Sequence, residues 1–339
     1  MRKANDTLFF FLKNAAMTMV LMAVSLQTTA QNITSRYDVN RDGDVTVTDV
    51  IYLVNYILGM EVSEEPQLIL SATNVTVAIG DTASVIISGG TSKYLSYSND
   101  ASVAYPVVKD SILFIIPVSI GCTEVTVRDA QGVCDYNINV IVTGVAPASV
   151  VAVDLGLPSG LKWANYNIGA SQPEEYGSYY AWGEVKEKNI YDWKSYIHCD
   201  STMYSIHNIG GDISGTQFDA ARMNWGNSWR MPTHDEMQEL IENCSWIWTS
   251  INGVYGRQGT GPSGETIFFP AAGCHVGDAT YSLGSYGNYW SASCVTSTSF
   301  DSGLPLGTAN AYYLNVSKYY IYIDTYYLND GYSIRAVSE

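Results

Sequence analysis

The chain has 339 residues, of which 17 are basic and 33 acidic, and its formal net charge is −16. A strongly acidic protein is repelled by phosphate backbones and by anionic lipid headgroups, so nucleic acid and anionic membranes are excluded as expected partners. Hydrophobic residues make up 47% of the chain, which is enough apolar material for two ordinary domains and one smaller unit.

Residues 1–30 have the layout of a secretory signal peptide. Basic residues precede an apolar run from Ala15 to Leu26, and small residues follow up to Ala30. We predict that the mature chain begins at Gln31 and is exported, either to the extracellular space and cell surface or to the periplasm. An uncleaved N-terminal anchor is the alternative, because Phe9–Leu12 lengthens the apolar region. After cleavage, no later run of about 18 apolar residues predicts a membrane span.

The segment Asp38–Asp49 places oxygen ligands at the spacing of a calcium loop. Loop positions 1, 3, 5, 7, 9 and 12 of such a loop supply ligands, the seventh through its backbone carbonyl and the ninth often through a water. These positions are occupied by Asp38, Asn40, Asp42, Asp44, Thr46 and Asp49. Gly43 stands at the sixth position, where the loop turns sharply. Hard oxygen ligands without Cys or His favour calcium over transition metals, so the predicted cofactor is Ca2+.

Apolar residues after the loop have the spacing of an amphipathic helix, which Gly59 is placed to end. They are Val50, Ile51, Val54, Ile57 and Leu58. Over about residues 36–59 the loop and helix resemble one repeat of a type I dockerin, the module that attaches enzymes to cohesin-bearing scaffolds. The resemblance carries Asp38, Asn40, Asp42, Asp44 and Asp49 over as ligands and implies a cohesin-like partner. Dockerins normally have two repeats and this sequence has one such run, so we expect residues 31–60 to form a small local calcium unit.

Residues 61–66 are polar and contain a proline, which predicts a linker. From 67 to 144, apolar residues alternate between turn signals, which is typical of a β-sandwich of seven or eight strands. The alternating sets are Val75, Val77 and Ile79; Ala83, Val85 and Ile87; Val125 and Val127; and Tyr136, Ile138, Val140 and Val142. This layout, including Ile120–Val127, resembles bacterial immunoglobulin-like domains of the second Big group. Such domains are usually spacers or adhesive modules.

Residues 145–150 contain a proline and small residues and predict a second linker. The remaining residues, 151–339, carry six motifs: Val153–Trp163, Tyr176–Glu184, Ser228–Thr233, Ile267–Gly273, Gly287–Ser291 and Gly331–Val337. Together these resemble the Fibrobacter succinogenes major paralogous domain family, whose members are exported or surface proteins without an established activity. The resemblance implies a fold related to the C-type lectin-like fold. The predicted fold class is therefore multidomain: a short EF-type calcium loop and helix, an all-β Ig-like sandwich, and an α+β domain.

One helix of this last domain has clear end signals. Thr233 is a good N-cap and Glu236, three residues later, completes a capping box. The sequence predicts a helix over about His234–Asn243. Its inward-facing residues are expected to be Met237, Leu240 and Ile241.

Two arginines are the notable charges in otherwise apolar motifs. Arg230 and Arg335 are expected to pair with carboxylates or backbone carbonyls, and Glu184 and Glu236 are candidate partners. Six tryptophans lie in or near the motifs, and we expect them to form core rather than a sugar platform, because large aromatic side chains dominate core energetics. They are Trp163, Trp182, Trp229, Trp246, Trp248 and Trp290.

Catalytic signatures are weak in this sequence. The four histidines are too far apart for a local zinc motif, and no Gly-x-Ser-x-Gly elbow or phosphate loop is present. The six cysteines could form disulfides, including a bridge between Cys122 and Cys134, or remain as buried thiols. Glycosidase chemistry needs two carboxylates, and Asp and Glu are plentiful enough to leave it open.

The pattern favours an exported, non-catalytic binding or display protein for cell-surface adhesion or glycan binding, with a glycan or a surface protein as partner. Its sandwich would be a spacer, and Tyr-rich loops such as Tyr281–Tyr289 would present the binding face. The alternative is a dockerin-recruited accessory component or enzyme of polysaccharide breakdown by glycosyl hydrolysis. A third hypothesis is that the protein is a stalk that calcium rigidifies and that binds no specific ligand.

Overall fold

The structure is a computed structural model that describes residues 47–58, 67–90, 93–129, 135–200, 205–226, 228–295, 304–305 and 310–339. The predicted signal peptide and five of the six predicted calcium ligands, Asp38 to Thr46, lie outside these residues. The chain divides into two compact units, Met1–Gln67 and Leu68–Glu339. Among the described residues, no helix is long and apolar enough to cross a membrane.

In the first unit the structure describes one helix, α1, Val47–Ile57. The predicted helix is therefore confirmed, although it begins three residues earlier than its apolar spacing indicates. The amide of Leu58 still donates to the carbonyl of Val54 at 3.0 Å, so the last turn is closed by a backbone bond. Val50 and Val54 are half-buried. Asp49 lies in the first turn and is only 3% exposed.

The second unit begins with eight strands that form two four-stranded sheets. They are β1 Ile69–Leu70, β2 Asn74–Ala78, β3 Ala83–Ser88, β4 Leu95–Ser98, β5 Ala104–Lys109, β6 Ile112–Pro117, β7 Gly121–Arg128 and β8 Asp135–Thr143. One sheet has the order β1-β3-β6-β5 and the other β2-β8-β7-β4. Strand β2 runs parallel to β8, and the other pairs are antiparallel.

One hydrophobic core fills the space between the two sheets. Val85 and Leu113 from one sheet and Val125 and Ile138 from the other are fully buried. Alternate residues of each strand point to the same side, so the period-two apolar pattern puts one face of each strand into this core. The prediction of a β-sandwich of seven or eight strands is confirmed as far as a two-sheet β-structure of eight strands. Of the predicted alternating residues, Ile79 is the exposed exception, because β2 ends at Ala78.

The rest of the unit is also rich in β-structure. Its strands are β9 Ala152–Val153, β10 Lys162–Ala164, β11 Ser205–Ile206, β12 Ser245–Ile251, β13 Val254–Thr260, β14 Thr266–Pro270, β15 Cys274–Val276, β16 Ala279–Tyr281, β17 Tyr286–Cys294, β18 Leu304–Pro305, β19 Asn310–Ser317, β20 Ile321–Tyr327 and β21 Val337–Ser338. Its helices are α2 Ala220–Trp225 and α3 His234–Asn243. Three-stranded sheets have the orders β9-β10-β21, β12-β13-β14 and β17-β19-β20.

Helix α3 has the predicted bounds and caps. The Thr233 hydroxyl accepts from the Glu236 amide, and the Glu236 side chain accepts from the Thr233 amide, which is the reciprocal capping box. Met237 and Leu240 are fully buried, and Ile241 packs against the same core from a half-buried position. The prediction for this helix is confirmed in its ends and in its inward face.

The segment predicted as the second linker is bonded to the part of the chain that follows it. The Gly144 amide donates to the Met223 carbonyl at 2.7 Å, and the Ala146 amide donates to the Trp225 carbonyl at 2.9 Å. The backbone that leaves β8 therefore runs along α2. The predicted boundaries at 61–66 and 145–150 stay predictions.

Candidate functional site

Of the predicted calcium ligands, the structure describes Asp49. Its carboxylate is buried in the first turn of α1. Position 12 of a calcium loop lies in such a turn, so the placement fits the predicted role. Elsewhere in the described ranges, no three His, Cys, Asp or Glu side chains are grouped closely enough to hold a metal.

The Arg335 guanidinium is completely buried and forms a structural anchor. It donates to Asn167 Oδ1 at 2.8 Å, to the Ala164 carbonyl at 3.1 Å and to the Phe268 carbonyl at 2.7 Å. It also lies 4.6 Å from the centroid of the Phe269 ring. Burial lowers the pKa of Arg335 to about 10, so the side chain stays charged at neutral pH. The sequence predicts carboxylates or backbone carbonyls as partners of Arg335, and the structure shows the backbone carbonyls.

Arg230 and Glu236 form the predicted carboxylate pair. Arg230 donates two hydrogen bonds to Glu236, at 2.8 and 2.7 Å. Burial acts to raise the pKa of Glu236, but the hydrogen bonds from Arg230 and Thr233 outweigh burial and lower it. Glu184, the other candidate, accepts instead from Lys188 Nζ at 2.8 Å. Both acids are thus engaged in holding the fold.

The described cysteines are free thiols. They are Cys122, Cys199, Cys244, Cys274 and Cys294. Burial raises the pKa of Cys244, Cys274 and Cys294 to about 11, with a smaller contribution at Cys274 from Asp330. Thiols with such pKa values are protonated at neutral pH and are poor nucleophiles. Cys122 is one of these free thiols, and Cys134, its possible partner in a bridge, lies outside the described residues.

Most of the singled-out tryptophans are core residues, as predicted. Trp163, Trp182 and Trp290 are at most 1% exposed and Trp229 is 8% exposed, while Trp246 packs on the core from a half-buried position. Trp248 is different. Its ring lies nearly parallel to that of Tyr255, with an interplanar angle of 4° and centroids 6.1 Å apart.

Trp248 and Tyr255 line a cleft of about 520 Å³. Its other lining residues are Gly284, Ser285, Tyr286, Ser317, Lys318 and Tyr319. The register of β12 and β13 pairs Trp248 with Arg257, and Tyr255 lies two residues before Arg257. All three side chains therefore share one face of this sheet.

Arg257 positions the opposite wall of the cleft. Its guanidinium donates to the Ser317 carbonyl at 2.8 Å and to the Lys318 carbonyl at 3.2 Å. The Ser317 amide donates to the Tyr320 carbonyl, and the Tyr320 amide donates to the Ser317 hydroxyl, so residues 317–320 form a tight turn. The side chains of Lys318 and Tyr319 stand exposed at its tip.

The third wall is the turn that leads into β17. Ser282 and Gly284 have positive φ angles of 61° and 74°. The amides of Ser285 and Tyr286 both donate to the Ser282 carbonyl, and the Gly284 amide is held by the Ala271 carbonyl. This tight turn leaves Tyr286 48% exposed beside the cleft.

Exposed tyrosines continue away from the cleft. We call the following set the tyrosine face: Tyr281, Tyr286, Tyr319, Tyr320, Tyr322 and Tyr326, which are between 43% and 75% exposed. Within Tyr281–Tyr289, the loop predicted to present a binding face, Tyr281 and Tyr286 are exposed, whereas Tyr289 is fully buried and donates to the Pro270 carbonyl. The predicted binding loop does not include the tyrosines of β20 or the Trp248–Tyr255 pair. The run Tyr319-Tyr320-Ile321-Tyr322 is the sequence signal that could have identified the tyrosines of β20.

Comparisons with known proteins give little further information. No protein-family model matches the chain, and no curated protein matches it. Domains 4 and 5 of the S-layer protein SbsC align with 22% of this chain and 50% of that chain, at 20% identity and a TM-score of 0.20. Domains 1–6 of SbsC align with 78% of this chain and 26% of that chain, at 12% identity and a TM-score of 0.22. Domains 5–6 align with 80% and 97%, at 13% identity and the same TM-score. Such TM-scores do not show a shared fold, so no function is transferred.

Proposed function

We propose that this chain is an exported, non-catalytic binding protein of the cell surface whose C-terminal part binds neutral glycans in the Trp248–Tyr255 cleft. The observation that carries the proposal is the near-parallel aromatic pair, which lines one cleft together with the hydroxyl-bearing Ser285 and Tyr286. The eight residues that line the cleft include no carboxylate. Hydrolysis by a pair of carboxylates therefore has no support at this site.

Aromatic rings and hydroxyls together match the two sides of a sugar. The faces of a pyranose carry C–H groups, which pack on the electron-rich faces of aromatic rings. Its edge carries hydroxyls, which exchange hydrogen bonds with side chains such as Ser285. Rigid aromatic side chains lose little conformational entropy on binding, which favours recognition by a preformed surface.

A glycan array followed by isothermal titration tests the proposal. We expect Trp248→Ala to weaken binding of the glycan that scores on the array at least tenfold, about 1.4 kcal/mol. Trp248→Phe should retain most of the affinity, because it keeps an aromatic ring. Tyr105→Ala is the matched control, since Tyr105 is a 41% exposed tyrosine of the sandwich strand β5. A blank array, or equal binding by Trp248→Ala, would reject the proposal.

The other modules have supporting roles in this proposal. The two-sheet domain serves as an Ig-like spacer, and the C-terminal part is a member of the Fibrobacter succinogenes major paralogous domain family with a C-type lectin-like fold. Residues 31–60 bind Ca2+ through the predicted loop, and the burial of Asp49 supports this assignment. Asp42→Ala should remove the increase in helical circular dichroism on calcium addition and leave glycan binding unchanged. An unaltered calcium affinity would refute the loop assignment.

A further inference from the structure

Three members of the tyrosine face, Tyr286, Tyr322 and Tyr326, lie on strands of the sheet β17-β19-β20, where they form one row. Strand register aligns Tyr286 with Ser317, Asn288 with Asn315, and Asn315 with Tyr322. Directly opposed residues point to the same side of a sheet, so Tyr286 and Tyr322 share a face. On β20 every second side chain also shares that face, which adds Asp324 and Tyr326, both exposed.

The dimensions of this row exceed those of one sugar. Strand residues advance by about 3.3 Å, so Tyr322 and Tyr326 are separated by about 13 Å. In the sheet order, β20 is paired only with β19, so the tyrosines lie beside an edge of the sheet as it is described. Tyr286 also lines the Trp248–Tyr255 cleft, which makes the row continuous with the cleft.

We propose that the cleft is the first of several subsites, and that an extended neutral polysaccharide chain binds from Trp248 past Tyr286 and along β20 to Tyr326. This inference rests on the proposed glycan-binding function and adds its substrate class, an internal stretch of several sugar units rather than a single terminal sugar. Tyr322 and Tyr326 supply the aromatic surfaces of the distal subsites, and Asp324 between them accepts hydrogen bonds from sugar hydroxyls.

Lys318 lies in the wall of the cleft, but the charge on the row along β20 is negative and favours a neutral chain over an anionic one. Asp324 stands in the middle of the row, and the whole protein has a net charge of −16. Both disfavour polymers of uronic acids, which carry a carboxylate on each sugar. Burial, followed by the nearby Asp324 and Tyr286, raises the pKa of Tyr322, so its hydroxyl stays protonated and able to donate.

A second observation lies on β19, directly opposite Tyr322. Asn315 is 6% exposed, and its Nδ2 donates to Asn288 Oδ1 at 2.8 Å. Its Oδ1 is buried and has no hydrogen-bond partner among the residues that the structure describes. Buried acceptors are normally paired, so this oxygen is suited to accept from a buried water that bridges it to a sugar hydroxyl.

Chain-length dependence of binding tests the inference. The probes are the disaccharides and hexasaccharides of cellulose, xylan and mannan, measured by isothermal titration against the purified protein. We expect at least one hexasaccharide to bind tenfold or more tightly than its disaccharide. Tyr322→Ala should remove most of that gain and leave the disaccharide affinity unchanged, whereas Tyr322→Phe should keep it. Tyr97→Ala, an exposed sandwich tyrosine, is the matched control.

The outcomes separate this inference from the proposed function. If no probe binds the unmodified protein, the extended row is rejected, and the glycan array decides separately on the proposed function. If disaccharide and hexasaccharide bind equally well and Trp248→Ala abolishes both, the cleft is a glycan site and the extended row is rejected. If Tyr322→Ala binds the hexasaccharide as tightly as the unmodified protein does, the row is rejected as well.

Discussion

Asp330 is a buried carboxyl whose hydrogen-bonded neighbour is an amide rather than a cation. The residue is 3% exposed, and its Oδ1 accepts from Asn329 Nδ2 at 3.1 Å. Its Oδ2 has no hydrogen-bond partner in the part of the chain that the structure describes. Burial raises the pKa of Asp330 to about 7, although the hydrogen bond from Asn329 opposes the shift. The folded state therefore holds this proton more tightly than the unfolded state does.

The raised pKa of Asp330 predicts a stability that falls with pH. Below about pH 4 the Asp330 carboxyl is protonated in both the folded and the unfolded state, and its contribution to stability is fully present. As pH rises from about 4 through about 7, the unfolded state loses the proton first, so this contribution to stability is lost. Asp330→Asn removes the buried charge that forms at high pH. The substitution should therefore raise the free energy of unfolding relative to the unmodified protein, and this increase should be about 2 kcal/mol larger at pH 8 than at pH 5. Urea unfolding at both pH values measures this, with the exposed Asp324→Asn as control. An equal change at both pH values would contradict the prediction.

At the scale of elements, α3 offers a local test of stability. Thr233→Ala removes the hydroxyl that accepts from the Glu236 amide, so the free energy of unfolding should fall by about 1 kcal/mol. Thr233→Ser keeps an acceptor and should stay within about 0.5 kcal/mol of the unmodified protein. Chemical denaturation compares the three proteins. If the alanine and serine variants were equally destabilised, lost packing of the threonine methyl group would explain the effect better than lost capping.

Elements with local signals were predictable, and the cleft was not. The start of α3 is specified by Thr233 and Glu236, which are only three residues apart. The strands β3, β7 and β8 are specified by the alternation of apolar and polar residues within each strand. The contact between Trp248 and Tyr255 depends instead on the register of β12 against β13, which no local pattern specifies. Strand β20 begins Ile321-Tyr322-Ile323, and tyrosine is found on core faces as well as on surfaces, so this short pattern does not specify which face is covered. Its pairing with β19 decides that.

At the scale of the whole molecule, the junction after β8 combines two sheets and a helix into one continuous structure. A proline and small residues at 145–150 predict a linker, yet Gly144, directly before this segment, makes a close backbone approach to α2. A Cβ added at Gly144 would overlap the carbonyl oxygen of Asn224, and one added at Gly226 would lie 2.7 Å from the Gly144 carbonyl oxygen. Glycine here allows two backbones to touch. Local composition does not distinguish a glycine that allows close backbone contact from a glycine in a flexible linker.

Gly144→Ala should uncouple the sandwich from the C-terminal part. The added methyl group forces the backbone away from α2 and disrupts the bonds from Gly144 to Met223 and from Ala146 to Trp225, at a cost of about 2 kcal/mol. Differential scanning calorimetry should show one transition for residues 68–339 in the unmodified protein and two in the variant. Gly160→Ala is the control: its φ is +75° and nothing lies within 4 Å of its added Cβ, so it adds only the left-handed backbone strain. A single unshifted transition in Gly144→Ala would mean that the junction does not couple the two parts.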